Sequence, residues 1–121
     1  MPTGGAGFGR CRRLLNPAEY RRVFEAPCRR SRDGLTVLAR PNGLDRARLG
    51  LAVSKRQLKH AVARNRIKRL ARESFRHHQA ELVGWDVVVS ARASAEQADN
   101  SLLRAAFARL WADVAERCKR S

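Results

Sequence analysis

Basic side chains crowd into one short stretch of this chain at a spacing that suits contact with phosphate groups. Residues 55–76 carry nine Lys or Arg side chains and a single acid, Glu73. At about 100° per residue on a helix, six polar side chains share one side, an arc of about 140°. They are Arg64, Asn65, Lys68, Arg69, Arg72 and Arg76. Like charges four residues apart repel, and an ordinary solvated face mixes both signs. The pattern therefore indicates a surface for a polyanion.

The residue types that perform nuclease chemistry show no matching arrangement. Such chemistry usually needs clustered carboxylates that hold metal ions, or a paired acid and base. The acids here are scattered singly, and Asp33, Asp45 and Asp86 have no spacing that pairs them. His77 and His78 are adjacent, so on a helix they point about 100° apart and cannot share a metal ion. These features predict a nucleic-acid binder without an active site of its own.

The cysteines do not suggest a structural framework. Cys11, Cys28 and Cys118 are odd in number and have no CxxC spacing. We expect no disulfide framework, since a reducing cytoplasm suits these cysteines better, and we expect each to be a small buried hydrophobe or a bystander and not a ligand.

Composition limits the chain to one domain with a strongly basic surface. It has 121 residues, 44% of them apolar, and its 26 Lys and Arg outnumber 11 Asp and Glu, for a net charge of +15. The whole excess lies in residues 1–76, while residues 77–121 are neutral. No apolar stretch approaches the roughly 20 residues that span a bilayer, so no membrane partner is expected. Residues 1–10 hold four glycines, which predicts a flexible tail before a single domain over residues 11–121.

The elements that must position the basic stretch follow from periodicity and capping residues. A helix is predicted over 17–26, because Asn16, Pro17 and Glu19 suit its first turn and Pro27 ends it. Strands are predicted at 35–39, 48–54 and 85–91, with a weaker one near 28–32. Further helices are predicted at 61–78 and 100–118, the last capped by Asp99 or Asn100. The order of these elements predicts an α+β sandwich.

Two segments resemble the bacterial ribonuclease P protein component. They are Leu49–Arg56 and Ala61–Arg76, and the second contains Arg-Asn-Arg-x-x-Lys-Arg-x-x-Arg. The resemblance extends from about Arg13 to Trp111. It implies an α-β-β-β-α-β-α fold with a left-handed β-α-β crossover, an exception to the usual handedness. It also implies a cytoplasmic protein that assists a catalytic RNA in removing the 5′ leader from precursor tRNA. The RNA would require Mg²⁺, and the protein alone would bind no cofactor.

The resemblance also implies two sets of contact residues. Those expected to face the catalytic RNA are Arg64, Asn65, Arg66, Lys68, Arg69 and Arg72. Those expected to bind the single-stranded leader are Arg13, Tyr20, Phe24 and Lys55. Tyr20 and Phe24 are helical neighbours that could stack on unpaired bases, although such a pair is also typical of a core. We expect Tyr20 to be the more exposed of the two, and both Arg64 and Arg66 to be exposed.

Two other functions suit the same charge pattern. A small ribosomal protein would bind RNA structurally and process nothing. A duplex-DNA binder would place residues 61–76 in a major groove, but a strand is predicted at 48–54, where a helix-turn-helix needs its partner helix.

Overall fold

The structure, a computed structural model, describes residues 17–25 and 28–117, and these form a four-stranded sheet with helices on both faces. In chain order the elements are α1 (Pro17–Phe24), β1 (Cys28–Arg32), β2 (Leu35–Pro41), β3 (Arg48–Leu51), α2 (Ala61–His78), β4 (Trp85–Ala91) and α3 (Asn100–Arg117). Short 3-10 helices follow α2 at Gln79–Leu82 and β4 at Ala93–Gln97. The α+β class and the predicted order of elements are confirmed, including the weak strand β1.

The sheet has the strand order β1-β2-β4-β3. β2 pairs antiparallel with both β1 and β4, whereas β3 and β4 run parallel. Parallel neighbours need a crossover connection, and α2 lies in it. The basic helix is therefore the link of a β-α-β unit, as the resemblance implied, while the handedness of that unit stays a prediction.

One face of the sheet packs against α2 and α3 and forms the main core. Alternate residues of β2 and β4, such as Val37 and Val89, point into it and are fully buried. Trp111 of α3 stacks on Phe107 at a ring-centroid distance of 5.7 Å and meets the edge of Phe75 at 6.0 Å. Trp111 and Phe75 are both fully buried and belong to this core.

The two long helices match their predictions: α2 has the predicted bounds, and α3 begins at the predicted Asn100. Asp99 caps α3, because its carboxylate accepts a hydrogen bond from the Leu102 N–H at 2.8 Å. The caps predicted for α1 at Asn16 and the last α3 position, Cys118, lie outside the described residues. β3 is shorter than predicted and ends at Leu51, since Ser54 already accepts the turn hydrogen bond from the Leu58 N–H.

α1 covers the opposite face of the sheet, which we call the α1 side. Val23 of α1 and Val88 of β4 are fully buried there, with Tyr20, Leu38 and Ala52 packed around them. This second cluster is much smaller than the main core.

A tight turn joins β1 to β2 and holds their hairpin against the 3-10 helix at 93–97. Asp33 and Gly34 both have positive φ angles, 54° and 86°, as the Asp-Gly turns of two-residue hairpins require. The Gly34 carbonyl accepts a hydrogen bond from the Arg92 N–H at 2.8 Å. A Cβ atom on Gly34 would lie 2.7 Å from the Ala95 nitrogen. The contact is so close that only glycine fits without a shift.

The sequence predicts no disulfide framework, but the Cys28 side chain is disulfide-bonded. Cys28 is nevertheless 94% buried, leaving 6% exposed, and belongs to the main core. An odd number of cysteines without a recognisable spacing carries no sign of which pair can meet, and therefore the sequence did not reveal this bond.

Candidate nucleic-acid interface

The outer face of α2 is an unneutralised basic surface. We call this surface the α2 basic face and define it by Asn65, Lys68, Arg69, Arg72 and Arg76. All are exposed except Lys68, which is half-buried. Among the described residues, none of these five side chains has an ion pair or a hydrogen bond. Lys and Arg without counter-charges are suited to binding phosphates.

Arg64 lies at one border of this face and holds the loop that precedes α2. Its Nη1 donates to the carbonyl oxygens of Leu58 at 2.7 Å and Lys59 at 3.0 Å. The side chain is half-buried, so the expectation of a freely exposed Arg64 is wrong. Arg64 is half-buried because it lies about 100° from Asn65 around the axis of α2, a direction that takes its side chain toward the loop before the helix.

Arg66 lies at the opposite border and holds the connection between β4 and α3. Its guanidinium donates to the Glu96 carbonyl at 3.1 Å, the Ala98 carbonyl at 2.9 Å and Asn100 Oδ1 at 2.9 Å. It is also half-buried, contrary to the prediction. These three acceptors come from a segment thirty or more residues later in the chain. No local pattern around Arg66 could have shown them.

A nearly buried ion network fixes α1 to the sheet. Arg48 of β3 donates from Nε and Nη2 to the two Asp86 oxygens at 2.8 and 2.7 Å, and from Nη1 to Glu19 Oε2 at 2.8 Å. The hydrogen bond from Asp86, aided by the charges of Asp86 and Glu19, raises the pKa of Arg48 above its ordinary value despite the opposing effect of burial. Glu19 belongs to α1 and Asp86 to β4. The network therefore sets the position of α1 over the sheet.

Tyr20 is anchored and is not the more exposed aromatic residue of α1. Its hydroxyl accepts a hydrogen bond from the Leu51 N–H at 3.2 Å, which gives a backbone donor of the edge strand β3 a partner. Its ring packs against the Val23 and Val88 cluster. Phe24, one helical turn later, is 51% exposed. The expectation that Tyr20 would be the exposed member is wrong, because its hydroxyl is used within the fold.

The same architecture occurs in a known family, whose model, described as Ribonuclease P, matches residues 8–115. The chain belongs to the ribonuclease P protein component family. The protein component of Methylococcus capsulatus is 50% identical over 121 residues, covering 100% of this chain and 94% of the relative. That of Stutzerimonas stutzeri is 48% identical over 106 residues, covering 87% and 81%.

Solved structures of ribonuclease P proteins share the fold. The Staphylococcus aureus protein has a TM-score of 0.76 at 28% identity, covering 87% of this chain and 95% of its own. The Thermotoga maritima protein has a TM-score of 0.72 at 29% identity, covering 82% and 94%. As a ribonuclease P protein component, the chain is the RNA-binding subunit of an endoribonuclease that processes tRNA, and its partner is the ribonuclease P RNA. This decides against the ribosomal and duplex-DNA functions.

The remaining leader residues expected from the ribonuclease P family are only partly described. Lys55 is exposed in the turn after β3, and Arg13 lies outside the described residues. The sequence missed one polar pair on the α1 side: Ser31 Oγ and Thr36 Oγ1 share a hydrogen bond at 3.0 Å across β1 and β2. The Asp-Gly turn between the two strands was the available signal for this pairing.

The described residues show neither a metal centre nor a membrane span. Within residues 17–25 and 28–117, no three His, Cys, Asp or Glu side chains come together as metal ligands. In the same part of the chain, no helix is both long and apolar enough to cross a bilayer.

Proposed function

We propose that the α2 basic face binds the catalytic RNA of ribonuclease P and that the α1 side of the sheet binds the single-stranded 5′ leader of precursor tRNA. The observation that carries the first part is that, among the described residues, none of Lys68, Arg69, Arg72 and Arg76 has an ion pair. Repulsion along this row costs the helix stability, and RNA phosphates would relieve it. Asn65 at the centre of the face adds an uncharged hydrogen-bonding group.

The exposed ring of Phe24 supports the second part of the proposal. A half-exposed phenyl ring offers a surface on which an unpaired base can stack with little sequence preference. Tyr20 supports the leader site indirectly: its hydroxyl accepts a hydrogen bond from the Leu51 N–H, and this bond holds the turn of α1 next to Phe24 in place. Lys55, exposed in the turn after β3, supplies a positive charge for the leader backbone. Arg13 is proposed as a further leader contact on the resemblance alone.

Catalysis is proposed to reside in the RNA subunit. Among the described residues, no three Asp, Glu, His or Cys side chains come together as metal ligands, and Glu19 and Asp86 are both bound by Arg48. We propose that the Mg²⁺ ions of the reaction belong to the RNA, with no cofactor held by the protein alone. We also propose that the protein acts in the cytoplasm, where bacterial precursor tRNA is made.

The test of the leader proposal compares precursor and mature tRNA. Phe24→Ala should weaken holoenzyme affinity for precursor tRNA by about 1–3 kcal/mol, the range for one base stacked on an aromatic ring. Affinity for mature tRNA should be unchanged, since it has no leader. The variant should melt like the parent, because half of the ring is already in water. Tyr20→Phe is the matched control: it keeps a ring and loses only the hydrogen bond to Leu51, so stability should fall while leader preference persists.

Equal losses for both tRNAs by a normally folded Phe24→Ala protein would show that α1 does not bind the leader. The catalytic-RNA part is tested separately by Arg69→Ala, which should weaken assembly with the RNA and make its log–log salt dependence shallower by up to about 1.

A further inference from the structure

A cavity of about 380 Å³ opens between α2 and α3, and we call it the α2–α3 groove. Leu70 is buried at its floor, whereas the other side chains that line it are polar and half-buried or exposed. The volume is within the range of about 300–1,000 Å³ that pockets for small ligands occupy. The groove therefore has room for a flat, partly apolar group such as one nucleotide base.

Two hydrogen bonds hold the groove in shape. Trp111 Nε1 of α3 donates to Ser74 Oγ at 2.8 Å, which joins the two helices, and His78 Nδ1 donates to the Ser74 carbonyl at 2.8 Å. Trp111 is itself packed against Phe75 and Phe107. The groove is therefore preformed, and a ligand that enters it loses little affinity to reorganisation of the protein.

The charged side chains of the groove have both signs and are not paired with one another. Glu73 is the single acid of residues 55–76 and is half-buried, while Arg76, His77 and Arg104 are exposed. In the described part of the chain, none of these four side chains has an ion pair. The groove therefore offers a ligand a carboxylate acceptor together with guanidinium donors.

This arrangement suits a ligand that has donors and acceptors on one flat edge, as a nucleotide base has. Glu73 repels a phosphate, so the groove differs from the α2 basic face in what it binds. Carboxylates accept hydrogen bonds from the exocyclic amino groups of bases, and guanidinium groups donate to the acceptors of bases. Unpaired RNA bases are bound by their Watson–Crick edges and stack on side chains such as His and Arg, and His77 and Arg104 are available for stacking here.

The groove is continuous with the α2 basic face, because Arg76 belongs to both. Glu73 lies three residues before Arg76, on the neighbouring side of the helix. An RNA strand whose phosphates lie along the α2 basic face therefore passes the mouth of the groove, where one base can turn inward. An acidic peptide on the same face would meet Glu73 with a like charge. The continuity and the mixed charge together favour the catalytic RNA as the ligand.

We infer that the α2–α3 groove binds one unstacked nucleotide of the catalytic RNA, with Glu73 accepting a hydrogen bond from the exocyclic amino group of the base and Arg104 donating to an acceptor on the same base. This inference rests on the proposed binding of the catalytic RNA by the α2 basic face. It adds a contact that reads a base, whereas contacts to phosphates carry no sequence information. Uracil has no exocyclic amino group, so the bound nucleotide is not a uridine.

The experiment compares assembly with the catalytic RNA between two variants that each lose one acid. Glu73→Ala raises the charge of a protein that already carries +15, so electrostatics alone would tighten its binding to RNA. Loss of the base contact has the opposite effect, and affinity should fall about tenfold, within the range for one base contact. Glu81→Ala removes an exposed acid outside the groove and should bind at least as tightly as the parent. Both variants should melt like the parent, since neither carboxylate has an ion pair within residues 17–25 and 28–117.

Chemical probing of unpaired bases identifies the nucleotide. The parent protein should protect one base of the catalytic RNA that stays reactive with Glu73→Ala and with Arg104→Ala. Arg109→Ala, which removes the same charge from an exposed position about 140° around the axis of α3, should keep the protection, as should Glu81→Ala. Replacing the protected nucleotide by uridine should weaken binding of the parent by the same factor and cause Glu73→Ala no further loss. This replacement decides the question with the parent protein even if a variant does not fold.

Arg69→Ala separates this inference from the proposal beneath it. If Arg69→Ala assembles like the parent, the α2 basic face does not bind the catalytic RNA and the proposed function is wrong. If Arg69→Ala weakens assembly but Glu73→Ala binds as tightly as Glu81→Ala, the groove binds no nucleotide and the proposed function stands. The absence of a protected base, or a protected base that uridine replaces without loss, would overturn the inference in the same way.

Discussion

Arg66 provides the sharpest test of how the basic motif is built, because its sequence context and its contacts suggest different roles. The resemblance implies that it touches the catalytic RNA, whereas the structure shows it bound to Glu96, Ala98 and Asn100. A net contribution of about 1.5–3 kcal/mol is typical of one hydrogen bond to a charged group. The three bonds share one half-buried side chain and are not additive, so Arg66→Ala should cost about 2–4 kcal/mol of unfolding free energy.

Thermal melts and salt titrations together separate the two roles. A loss of that size should lower Tm by about 10–20 °C in a domain of this length. Arg66→Ala should bind the catalytic RNA more weakly because α2 is less firmly held, but its log–log salt slope should equal the parent's. Arg69→Ala is the matched control: the exposed side chain should leave Tm unchanged and make the slope shallower by up to about 1.

A second substitution keeps the test usable if Arg66→Ala does not fold. Arg66→Lys retains the charge, but a single ammonium cannot match the fork that reaches three acceptors. It should melt between the parent and the alanine variant and keep the parent slope. The reasoning is refuted if the unfolding free energy of Arg66→Ala lies within about 0.5 kcal/mol of the parent's, the usual range for a surface change, while the log–log salt slope of its RNA binding becomes shallower by about 1.

Three further predictions concern the frame around the interface and the protein alone. Arg48→Ala should cost about 3–5 kcal/mol, since it leaves the buried Asp86 without its cation and with only the Asn42 amide donating to it, and chemical denaturation measures this loss; a cost below about 1 kcal/mol would contradict the anchoring role. Gly34→Ala should destabilise the fold by about 1–3 kcal/mol, because a positive φ and the contact with Ala95 both oppose a Cβ atom; an unchanged melt would show that the hairpin can shift freely. The purified protein without RNA should not cut precursor tRNA at any Mg²⁺ concentration, and cleavage at the correct 5′ junction in a gel assay would overturn the assignment of catalysis to the RNA.

The fold was predictable wherever one helix face or one strand carried an apolar pattern of its own. The stripe of α3 and the buried run of β4 predicted their elements within a residue or two. The strand β1 was only weakly predicted, because Arg29, Arg30 and Arg32 obscure any alternation of apolar and polar residues. This strand is determined by its pairing with β2. Exposure of single site residues was less predictable. Tyr20 and Phe24 have the same helical spacing whether they pack in the core or stack on bases. The hydrogen bond from the Leu51 N–H, which distinguishes the anchored Tyr20 from the exposed Phe24, comes from a distant part of the sequence.

The Arg-Asn-Arg motif acquires a mechanical meaning from helical geometry. With Asn65 facing outward, its neighbours Arg64 and Arg66 point about 100° to either side, toward the loop before α2 and the segment between β4 and α3. Their long side chains reach Leu58 on one side and Ala98 on the other. Arg69, later in the motif, points outward again and is exposed, with no ion pair among the described residues. The flanking arginines therefore hold the helix against these two segments, and the outward residues are the ones proposed to bind RNA. A rigidly held row of charges loses less freedom when it binds than a mobile one, which is the physical advantage of using arginine for both tasks.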